Sequence, residues 1–300
     1  MLQPGPDGLE AALCPTCRHQ DASPFRELQG YRFLRCRGCG LAYMSPRPRP
    51  ERLRALYTEE YFASRDPSCG YPSYRADRDS LREKAERLLR VVERHGPRGR
   101  LLDIGCALGF TLEVARERGW EAAGVEASPA AAEDAARRLG PAVPIAPDLE
   151  QARFPDASFD AVTLWDVIEH LPDPRQSLLE VARLLRPGGV CSVVTPDVGS
   201  LAAKVLGARW EEMQKMPEHI YFFDRRSLAT LLRATGFEPL EWGTVGKRMS
   251  LEETATRLLP SAPRLWGALR GLARALGQQG RVAYFDPRWK MAVTARRVAR

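Results

Sequence analysis

Four cysteines near the N-terminus form two closely spaced pairs, Cys14-Pro-Thr-Cys17 and Cys36-Arg-Gly-Cys39, with eighteen residues between the pairs. This spacing is typical of two metal-binding turns that together offer four thiolates to one zinc ion. Because sulfur would fill all four tetrahedral positions, such a metal is structural and leaves no place for a reactive water. Buried free thiols and a thioredoxin-like redox pair are the alternatives, and two pairs at this spacing fit redox chemistry poorly.

A second group of chemically suggestive residues is the stretch Asp103-Ile-Gly-Cys-Ala-Leu-Gly109, which follows a short apolar run. Gly105 and Gly109 allow a sharp turn and a close approach of the backbone to a ligand. The spacing is not the Gly-x-Gly-x-x-Gly of dinucleotide enzymes, because Ala107 stands at the middle glycine position. Ala107 suits the loop if its φ is negative. The carboxylate before the loop would repel a pyrophosphate, so it favours a ligand with an ammonium group and no phosphate.

Further acidic residues follow the next strands of the same pattern. Glu126 ends a strand, where a carboxylate can accept hydrogen bonds from two ribose hydroxyls, and both dinucleotide and S-adenosylmethionine enzymes use this device. An acid at a helix N-terminus, favoured by the helix dipole, is the alternative role for Glu126. Asp148 and Leu149 lie in a third loop, where they are placed to meet an adenine edge. These residues predict a nucleoside-containing cofactor without choosing between the two enzyme classes.

Alternating strands and helices are required to bring these loops together. The apolar runs predict strands over Leu101–Ile104, Glu121–Val125, Phe159–Trp165 and Val190–Thr195, with helices over Thr111–Arg118, Pro129–Leu139 and Arg175–Leu185 between them. Strands separated by one helix each indicate an open, doubly wound α/β fold whose parallel sheet is covered on both faces. Ligands of such sheets bind beyond the carboxyl ends of the strands.

The predicted domain organisation has three parts: a zinc ribbon over 1–45, an aromatic-rich connecting segment over 46–80, and an α/β domain over 81–300. The proline-rich run Ser45–Pro50 should neither continue a strand nor start a helix interior. A helical insert is predicted at about 250–281, and within it Leu251–Arg281 reads as basic and amphipathic. Such a helix can contact an anionic membrane surface, form a lid, or pack on the protein's own core.

The composition describes an ordinary globular protein, with 44% hydrophobic and 28% charged residues and a net charge of +7. The basic residues comprise 40 arginines and five lysines spread along the chain, which makes nucleic-acid binding unlikely on this ground. Cys69, Cys106 and Cys191 are isolated, which favours a reducing compartment. Met1–Glu10 does not resemble a secretory signal, and no apolar run reaches the ~18 residues of a membrane-spanning helix. We therefore expect a cytoplasmic protein.

Five motifs occur in a recognisable order. They are Asp103–Gly109, Gly124-Val125-Glu126, Phe154-Pro-Asp156 before Phe159-Asp160, Asp166–His170 and Arg186-Pro-Gly-Gly189. Together they resemble class I S-adenosylmethionine-dependent methyltransferases, in particular the ubiquinone-biosynthesis-like O-methyltransferases, over about residues 81–245. The cysteine ribbon resembles a known N-terminal companion of this domain. The resemblance implies a Rossmann-like sheet of seven strands whose last strand is antiparallel, with Phe237–Thr244 and Lys290–Arg296 as the sixth and seventh.

The resemblance also implies roles for individual residues in binding S-adenosylmethionine. Asp103 and Gly105 would border its methionine and ribose parts, Glu126 would hold the ribose hydroxyls, and Asp166 would close over the methionine end. The other expected contacts are Cys106, Gly109, Asp148, Leu149 and Trp165. For Cys106, a small buried hydrophobe is the alternative to a cofactor contact.

A base is needed to methylate a hydroxyl, and histidine is suited to that role near neutral pH. We hypothesise that His219 is the general base, since it lies in the segment that covers the acceptor pocket in relatives, and that His170 is the second candidate. Trp210, Tyr221 and Phe222 would shape an apolar or aromatic acceptor pocket. Alternatively, His219 bonds only to a loop, and the aromatic residues form core.

The predicted function is therefore methyl transfer from S-adenosylmethionine to a small molecule, with a hydroxyl as the expected acceptor. The alternatives are an RNA or protein methyltransferase that grips its polymer through the ribbon and arginines, and a non-catalytic cofactor-binding module.

Overall fold

A computed structural model describes residues 8–56, 77–250 and 282–298, together with Gly267 and Gly271. Cys69, most of the aromatic connecting segment and nearly all of the predicted helical insert lie outside these residues. Among the described helices, none is long and apolar enough to cross a membrane.

The N-terminal region is a small antiparallel sheet. Its strands are β2 (Ala22–Leu28), β3 (Tyr31–Cys36) and β4 (Ala42–Met44), in consecutive order. The short strands β1 (Leu9–Glu10) and β5 (Arg47–Pro48) pair beside it, and helix α1 (Pro50–Arg54) follows. Strand β4 ends at Met44, before the proline-rich run, so the run does not continue it. Within the run, Arg47 and Pro48 form a separate two-residue strand, and Pro50 is the first residue of a helix, where its missing N–H costs nothing.

The remainder alternates between strands and helices as predicted. In chain order the elements are α2 (Arg78–His95), β6 (Arg100–Ile104), α3 (Phe110–Glu117), β7 (Glu121–Val125), α4 (Pro129–Leu139), β8 (Ile145–Ala146), α5 (Leu149–Ala152), β9 (Phe159–Trp165), α6 (Pro174–Leu184), β10 (Leu185–Pro196), α7 (Leu201–Leu206), β11 (Tyr221–Phe222), α8 (Arg225–Ala234), β12 (Phe237–Thr244), β13 (Lys247–Ser250), β14 (Val282–Phe285) and β15 (Lys290–Arg297). Two short 3-10 helices, Gly207–Arg209 and Glu211–Gln214, precede β11. Strand β10 is irregular between Leu185 and Val190.

Seven of these strands form one sheet in the order β12-β15-β10-β9-β6-β7-β8. Strand β15 runs antiparallel to both of its neighbours, whereas β6 to β10 are parallel. This confirms the predicted seven-stranded sheet with an antiparallel last strand. Helix α2 packs one apolar face, including Leu89 and Val92, into the core beside the sheet.

The ribbon sheet has a fourth strand that the sequence did not reveal. Strand β11 pairs antiparallel with β4, in the register Tyr221 to Tyr43 and Phe222 to Ala42. One apolar cluster runs from Cys14 and Phe33 of the ribbon through Phe222 to Val193 of the large sheet. The ribbon and the α/β domain therefore share a hydrophobic core.

Candidate active site

The carboxyl ends of four neighbouring strands meet at one edge of the large sheet. The register pairs Ile104 with both Val125 and Leu164, and Trp165 with Val194. The loops after β6, β7, β9 and β10 consequently lie side by side, as the sequence indicated for a ligand site.

The loop after β6 turns sharply through residues in the left-handed region. Gly105 has φ 72° and Gly109 has φ 75°, and the N–H groups of Gly105 and Cys106 donate to the carbonyl of Val125 at 2.8 and 3.1 Å. Ala107 also lies in this region, with φ 47°, so the condition of a negative φ, under which alanine would suit the loop, is not met. A non-glycine residue in this conformation costs roughly 1–2 kcal/mol, which the surrounding hydrogen bonds must offset.

Glu126 joins this loop to the next one. Its Oε2 accepts from the N–H of Ala107 at 2.8 Å, and its Oε1 accepts from the N–H of Ser128 at 2.7 Å. Burial raises the pKa of Glu126, although these N–H groups favour the ionised form. Because each carboxylate oxygen can accept two hydrogen bonds, both retain a position for a ribose hydroxyl.

Asp103 is buried at the end of β6, where the hydroxyl of Thr163 donates to its Oδ1 at 2.6 Å. Burial raises the pKa of Asp103 to about 7, although the Thr163 hydrogen bond stabilises the charged form. The loop from Asp103 to Gly109 contains no cationic side chain. These groups fit a ligand that carries a ribose diol and positive charge, as S-adenosylmethionine does.

The remaining predicted cofactor residues lie around the same edge. Asp148 caps α5, accepting from the N–H of Gln151 at 2.7 Å, immediately before Leu149. The indole of Trp165 is buried and donates to the Ser192 hydroxyl at 3.0 Å. Cys106 is buried against Gly124. A Cβ atom added to Gly124 would lie 2.7 Å from the sulfur of Cys106.

Asp166 is held by two lysines that sequence reasoning did not select. Lys84 Nζ lies 2.5 Å from Oδ2, and Lys290 Nζ lies 2.8 Å from Oδ1. Burial opposes ionisation, but the two ammonium groups, Lys290 foremost, outweigh it and lower the pKa of Asp166. The sequence feature that could have indicated these residues is the scarcity of lysine. Three of the five lysines belong to this cluster: Lys84, Lys215 and Lys290.

Glu212 extends the cluster toward the histidines. Its Oε2 lies 2.7 Å from Lys215 Nζ, and its Oε1 lies 3.6 Å from Lys290 Nζ. The side chain is buried, yet Lys215 and then Lys290 lower the pKa of Glu212 against the effect of burial. A continuous chain of ion pairs therefore runs from Lys84 on α2 to Lys215, by way of Asp166, Lys290 and Glu212.

His170 and His219 contact each other edge to face, with ring centroids 4.7 Å apart. The Nδ1 of His170 lies 3.0 Å from the carbonyl of Glu218. A carbonyl can only accept, so this Nδ1 carries the proton of the neutral ring. Burial, with Lys215 nearby, lowers the pKa of His170 to about 4. The structure thus brings together the two histidines that were predicted as base candidates.

His219 is buried, and its Nδ1 has no hydrogen-bond partner among the described residues. The Glu212 Oε2 is 3.9 Å from this nitrogen, beyond hydrogen-bond distance. Burial, then His170 and Lys215, lower the pKa of His219 well below its usual value. The imidazole is therefore neutral at pH 7.

Glu169 lies next to the histidines. The Thr195 hydroxyl donates to its Oε2 at 2.9 Å, whereas its Oε1 is buried with no partner in the described parts of the chain. Burial, reinforced by Asp166, raises the pKa of Glu169 to about 8.

The three predicted pocket aromatics, Trp210, Tyr221 and Phe222, are buried between the ribbon and the site. Phe222 contacts Phe33 of the ribbon and Trp210, with ring centroids 5.3 and 6.3 Å apart. The hydroxyl of Tyr221 donates to the carbonyl of Pro172 at 3.1 Å. These residues pack as core, but the indole nitrogen of Trp210 has no partner among the residues described. Their role toward an acceptor stays a prediction.

The four ribbon cysteines converge as their spacing predicted. Sulfur–sulfur distances are 3.5 Å for Cys14–Cys39, 3.8 Å for Cys14–Cys17 and 3.4 Å for Cys17–Cys36. All four sulfurs lie within 4.8 Å of one another.

Comparison with known proteins gives a consistent result. The methyltransferase domain family matches residues 74–241. A malonyl-[acyl-carrier protein] O-methyltransferase of Serratia marcescens is 28% identical over 220 residues, which cover 73% of this chain and 81% of that protein. A ubiquinone biosynthesis O-methyltransferase of Cereibacter sphaeroides is 32% identical over 152 residues, covering 47% and 61% of the two chains.

The fold is also that of a solved S-adenosylmethionine-dependent methyltransferase of Archaeoglobus fulgidus, with a TM-score of 0.50 at 19% identity over 75% of this chain and 99% of that one. The family match covers more than half of the chain, including the loops at the carboxyl edge. The chain therefore belongs to the methyltransferase domain family, and it is an S-adenosylmethionine-dependent methyltransferase.

Proposed function

We propose that this chain methylates a hydroxyl group of a small-molecule acceptor. The observation that carries the proposal is the pair of neutral imidazoles, His170 and His219, beside the loops that would hold the cofactor. Both sequence relatives described above are named O-methyltransferases, which supports oxygen as the methylated atom.

The residues of the carboxyl edge would bind and orient the cofactor. When bound, S-adenosylmethionine supplies a methyl group on a positively charged sulfur. Glu126 would accept from the ribose hydroxyls through its free electron pairs, and ionised Asp103 would attract the positive charge of the methionine part. Asp148 and Leu149 would border the adenine. Holding the acceptor oxygen in line with the methyl carbon can contribute about 7–11 kcal/mol to the lowering of the barrier.

The proton of the acceptor hydroxyl would pass to His219, with His170 as the second candidate. As this proton leaves, the acceptor oxygen would form a bond to the methyl carbon, and the bond between that carbon and the cofactor sulfur would break. In the tautomer with its proton on Nε2, the unpartnered Nδ1 of His219 would offer an electron pair for this proton, and a positioned base contributes roughly 10²–10⁴-fold. Trp210, Tyr221 and Phe222 would form the buried wall behind the acceptor.

We also propose that Cys14, Cys17, Cys36 and Cys39 hold one structural zinc ion. Zinc–sulfur bonds of about 2.3 Å in a tetrahedron place sulfurs about 3.8 Å apart, close to the observed 3.4–3.8 Å. Four thiolates leave no open position, so the ion would stabilise the ribbon and take no part in methyl transfer.

A two-step experiment tests the enzymatic proposal. Calorimetric titration with S-adenosylhomocysteine should show micromolar binding by the wild type and by His219→Gln. With phenolic and alcoholic acceptors, His219→Gln should then lower kcat by 10²-fold or more. His95→Gln is the matched control, since His95 pairs with Glu241 at 2.8 Å at the far end of α2. Unchanged turnover of His219→Gln across pH 6–9 would exclude His219 as the base.

A carboxylate acceptor is a second candidate, favoured by the three lysines in the cluster. A carboxylate is already ionised at neutral pH and needs no base. In that case His219→Gln would retain turnover, and carboxylic acids would be methylated in preference to phenols and alcohols.

A further inference from the structure

Trp210 carries a buried hydrogen-bond donor that is not used within the described part of the chain. The side chain is 0% exposed, and its indole Nε1 has no hydrogen-bond partner among the residues that the structure describes. An indole N–H can only donate, and leaving it buried and unpaired is unfavourable. Any partner for Trp210 is therefore an atom that accepts a hydrogen bond.

Two other buried tryptophans show the usual arrangement. The indole N–H of Trp120 donates to Glu93 Oε1 at 3.2 Å, and that of Trp165 donates to the Ser192 hydroxyl at 3.0 Å. Buried indole N–H groups generally find such a partner. The fold provides an acceptor at these two positions, and at Trp210 the donor stays available for another molecule.

Trp210 lies next to His219, the proposed base. Both rings pack against Phe222, with ring centroids 6.3 Å away for Trp210 and 6.2 Å away for His219. The Nδ1 of His219 is likewise buried without a partner within the described ranges. Two unpaired polar atoms, a donor and a nitrogen that can accept, thus flank the same phenyl ring.

The backbone fixes both ends of the segment that carries these two rings. The N–H of Met213 donates to the carbonyl of Trp210 at 2.9 Å, and the N–H of His219 donates to the carbonyl of Lys215 at 3.0 Å. Between them, buried Glu212 pairs with Lys215 at 2.7 Å. The donor and the base are therefore held in a defined arrangement, as selective recognition of a ligand requires.

We propose that Trp210 determines acceptor specificity by donating its indole N–H to a second oxygen of the acceptor, while the hydroxyl to be methylated faces His219. The acceptor class is a hydroxy compound with a further oxygen that accepts a hydrogen bond, on an apolar framework that packs against Phe222. An analogue without this oxygen is rejected because it leaves the buried donor unpaired. The inference deepens the proposed function and rests on it for the role of His219.

Matched probes test this pairing in the wild-type chain. They are the three isomers of hydroxyacetophenone and the three isomers of ethylphenol, which replace the carbonyl group by a methylene group of similar size. With S-adenosylhomocysteine bound, at least one ketone should bind at least about tenfold more tightly than its matched ethylphenol in calorimetry. That ketone should also shift the indole N–H signal of Trp210 in the NMR spectrum of ¹⁵N-labelled protein. Equal affinities or no binding in every pair, or an unmoved Trp210 signal, would overturn the proposal.

Trp210→Phe keeps an aromatic ring and removes the donor. It should abolish the preference for the ketone while binding of ethylphenol and of S-adenosylhomocysteine stays close to that of the wild type. Trp242→Phe is the matched control, since Trp242 lies on the edge strand β12 beside Arg225, and it should keep the preference. A preference that survives in Trp210→Phe would overturn the proposal, because the carbonyl group then acts elsewhere. The wild-type NMR signal provides the test if this variant does not fold.

Failure of this inference and failure of the proposed function give different results. Methylation of phenols that depends on His219 but is indifferent to Trp210 rejects only the role of Trp210. Turnover that is unchanged in His219→Gln, or a folded wild type that does not bind S-adenosylhomocysteine, counts against the proposed function itself.

Discussion

Tyr221 pairs with Tyr43 across the edge of the ribbon sheet, so the N-terminal ribbon is completed by a strand that begins two residues after His219. Ile220 lies between His219 and Tyr221 in the chain, and its backbone forms hydrogen bonds in two directions. Its N–H donates to the carbonyl of Glu169 at 3.1 Å, and its carbonyl accepts from Met44 at 2.9 Å. The candidate acceptor site is thus tied to the ribbon through the backbone of one residue.

Loss of one ribbon thiolate should therefore affect the distant site. We expect Cys36→Ser to lose the zinc, lower the melting temperature and reduce methyl transfer at least tenfold, because β4 no longer holds β11 and the segment containing His219. Zinc content by mass spectrometry, thermal unfolding and turnover measure these effects. Cys191→Ala, a buried cysteine of the large sheet, should keep its zinc. An active, metal-free Cys36→Ser variant would show that the ribbon is dispensable for the site.

Removal of Lys290 should be strongly destabilising. It pairs with both Asp166, which is partly buried, and Glu212, which is buried, and leaving each carboxylate with one lysine partner in place of two costs about 1–3 kcal/mol. We expect Lys290→Met to lower the free energy of unfolding by about that amount in urea titration. Lys204→Met, at an exposed position on α7, should change it by less than about 0.5 kcal/mol. Equal effects of the two substitutions would contradict the buried network.

Cofactor affinity should depend on pH through Asp103. Its pKa is raised to about 7, so the carboxyl is largely neutral at pH 6 and largely ionised at pH 8. Only the ionised form attracts the ammonium group of S-adenosylhomocysteine, and affinity should therefore fall several-fold from pH 8 to pH 6. Calorimetry at both values measures this, and Asp103→Asn should bind weakly with little pH dependence.

The same shift has a consequence for stability. Because the pKa of Asp103 is higher in the folded chain than in the unfolded chain, its ionisation opposes folding, and this cost grows from about pH 4 to pH 7. Asp103→Asn can keep the hydrogen bond from Thr163 and should be more stable than wild type at pH 8, with the difference vanishing near pH 4. A difference that is independent of pH would argue against the raised pKa.

Ala107 offers a test of the cofactor loop. Its φ of 47° is unfavourable for alanine but not for glycine. Ala107→Gly should therefore raise the free energy of unfolding by about 0.5–1 kcal/mol, after allowance for the greater flexibility of unfolded glycine. Ala136→Gly, the same change at an exposed position inside α4, should lower it by about 1 kcal/mol. A loss of stability in both variants would mean that the loop relaxes around Ala107.

The parallel strands of the large sheet and the place of the cofactor loops were predictable from local sequence patterns, whereas the count of seven strands with an antiparallel last one was implied by the family resemblance. Short apolar runs such as Phe159–Trp165 are buried on both faces, and their strand–helix alternation leaves few topologies. Cys14, Cys17, Cys36 and Cys39 converge because two short turns force each pair together locally. In each of these cases neighbouring residues carry the information.

The contacts around the histidines were decided only by the tertiary structure. Asp166, which follows β9, meets Lys84 of α2 and Lys290 of β15. The meeting with Lys290 depends on the position of β15 beside β10 in the sheet, and no local sequence pattern marks such a pairing. The left-handed φ of Ala107 likewise depends on Glu126, which accepts from its N–H across the loop. Local periodicity determined the elements and their order, whereas the ion pairs and the unpartnered atoms of Glu169 and His219 arise from packing between residues far apart in the chain.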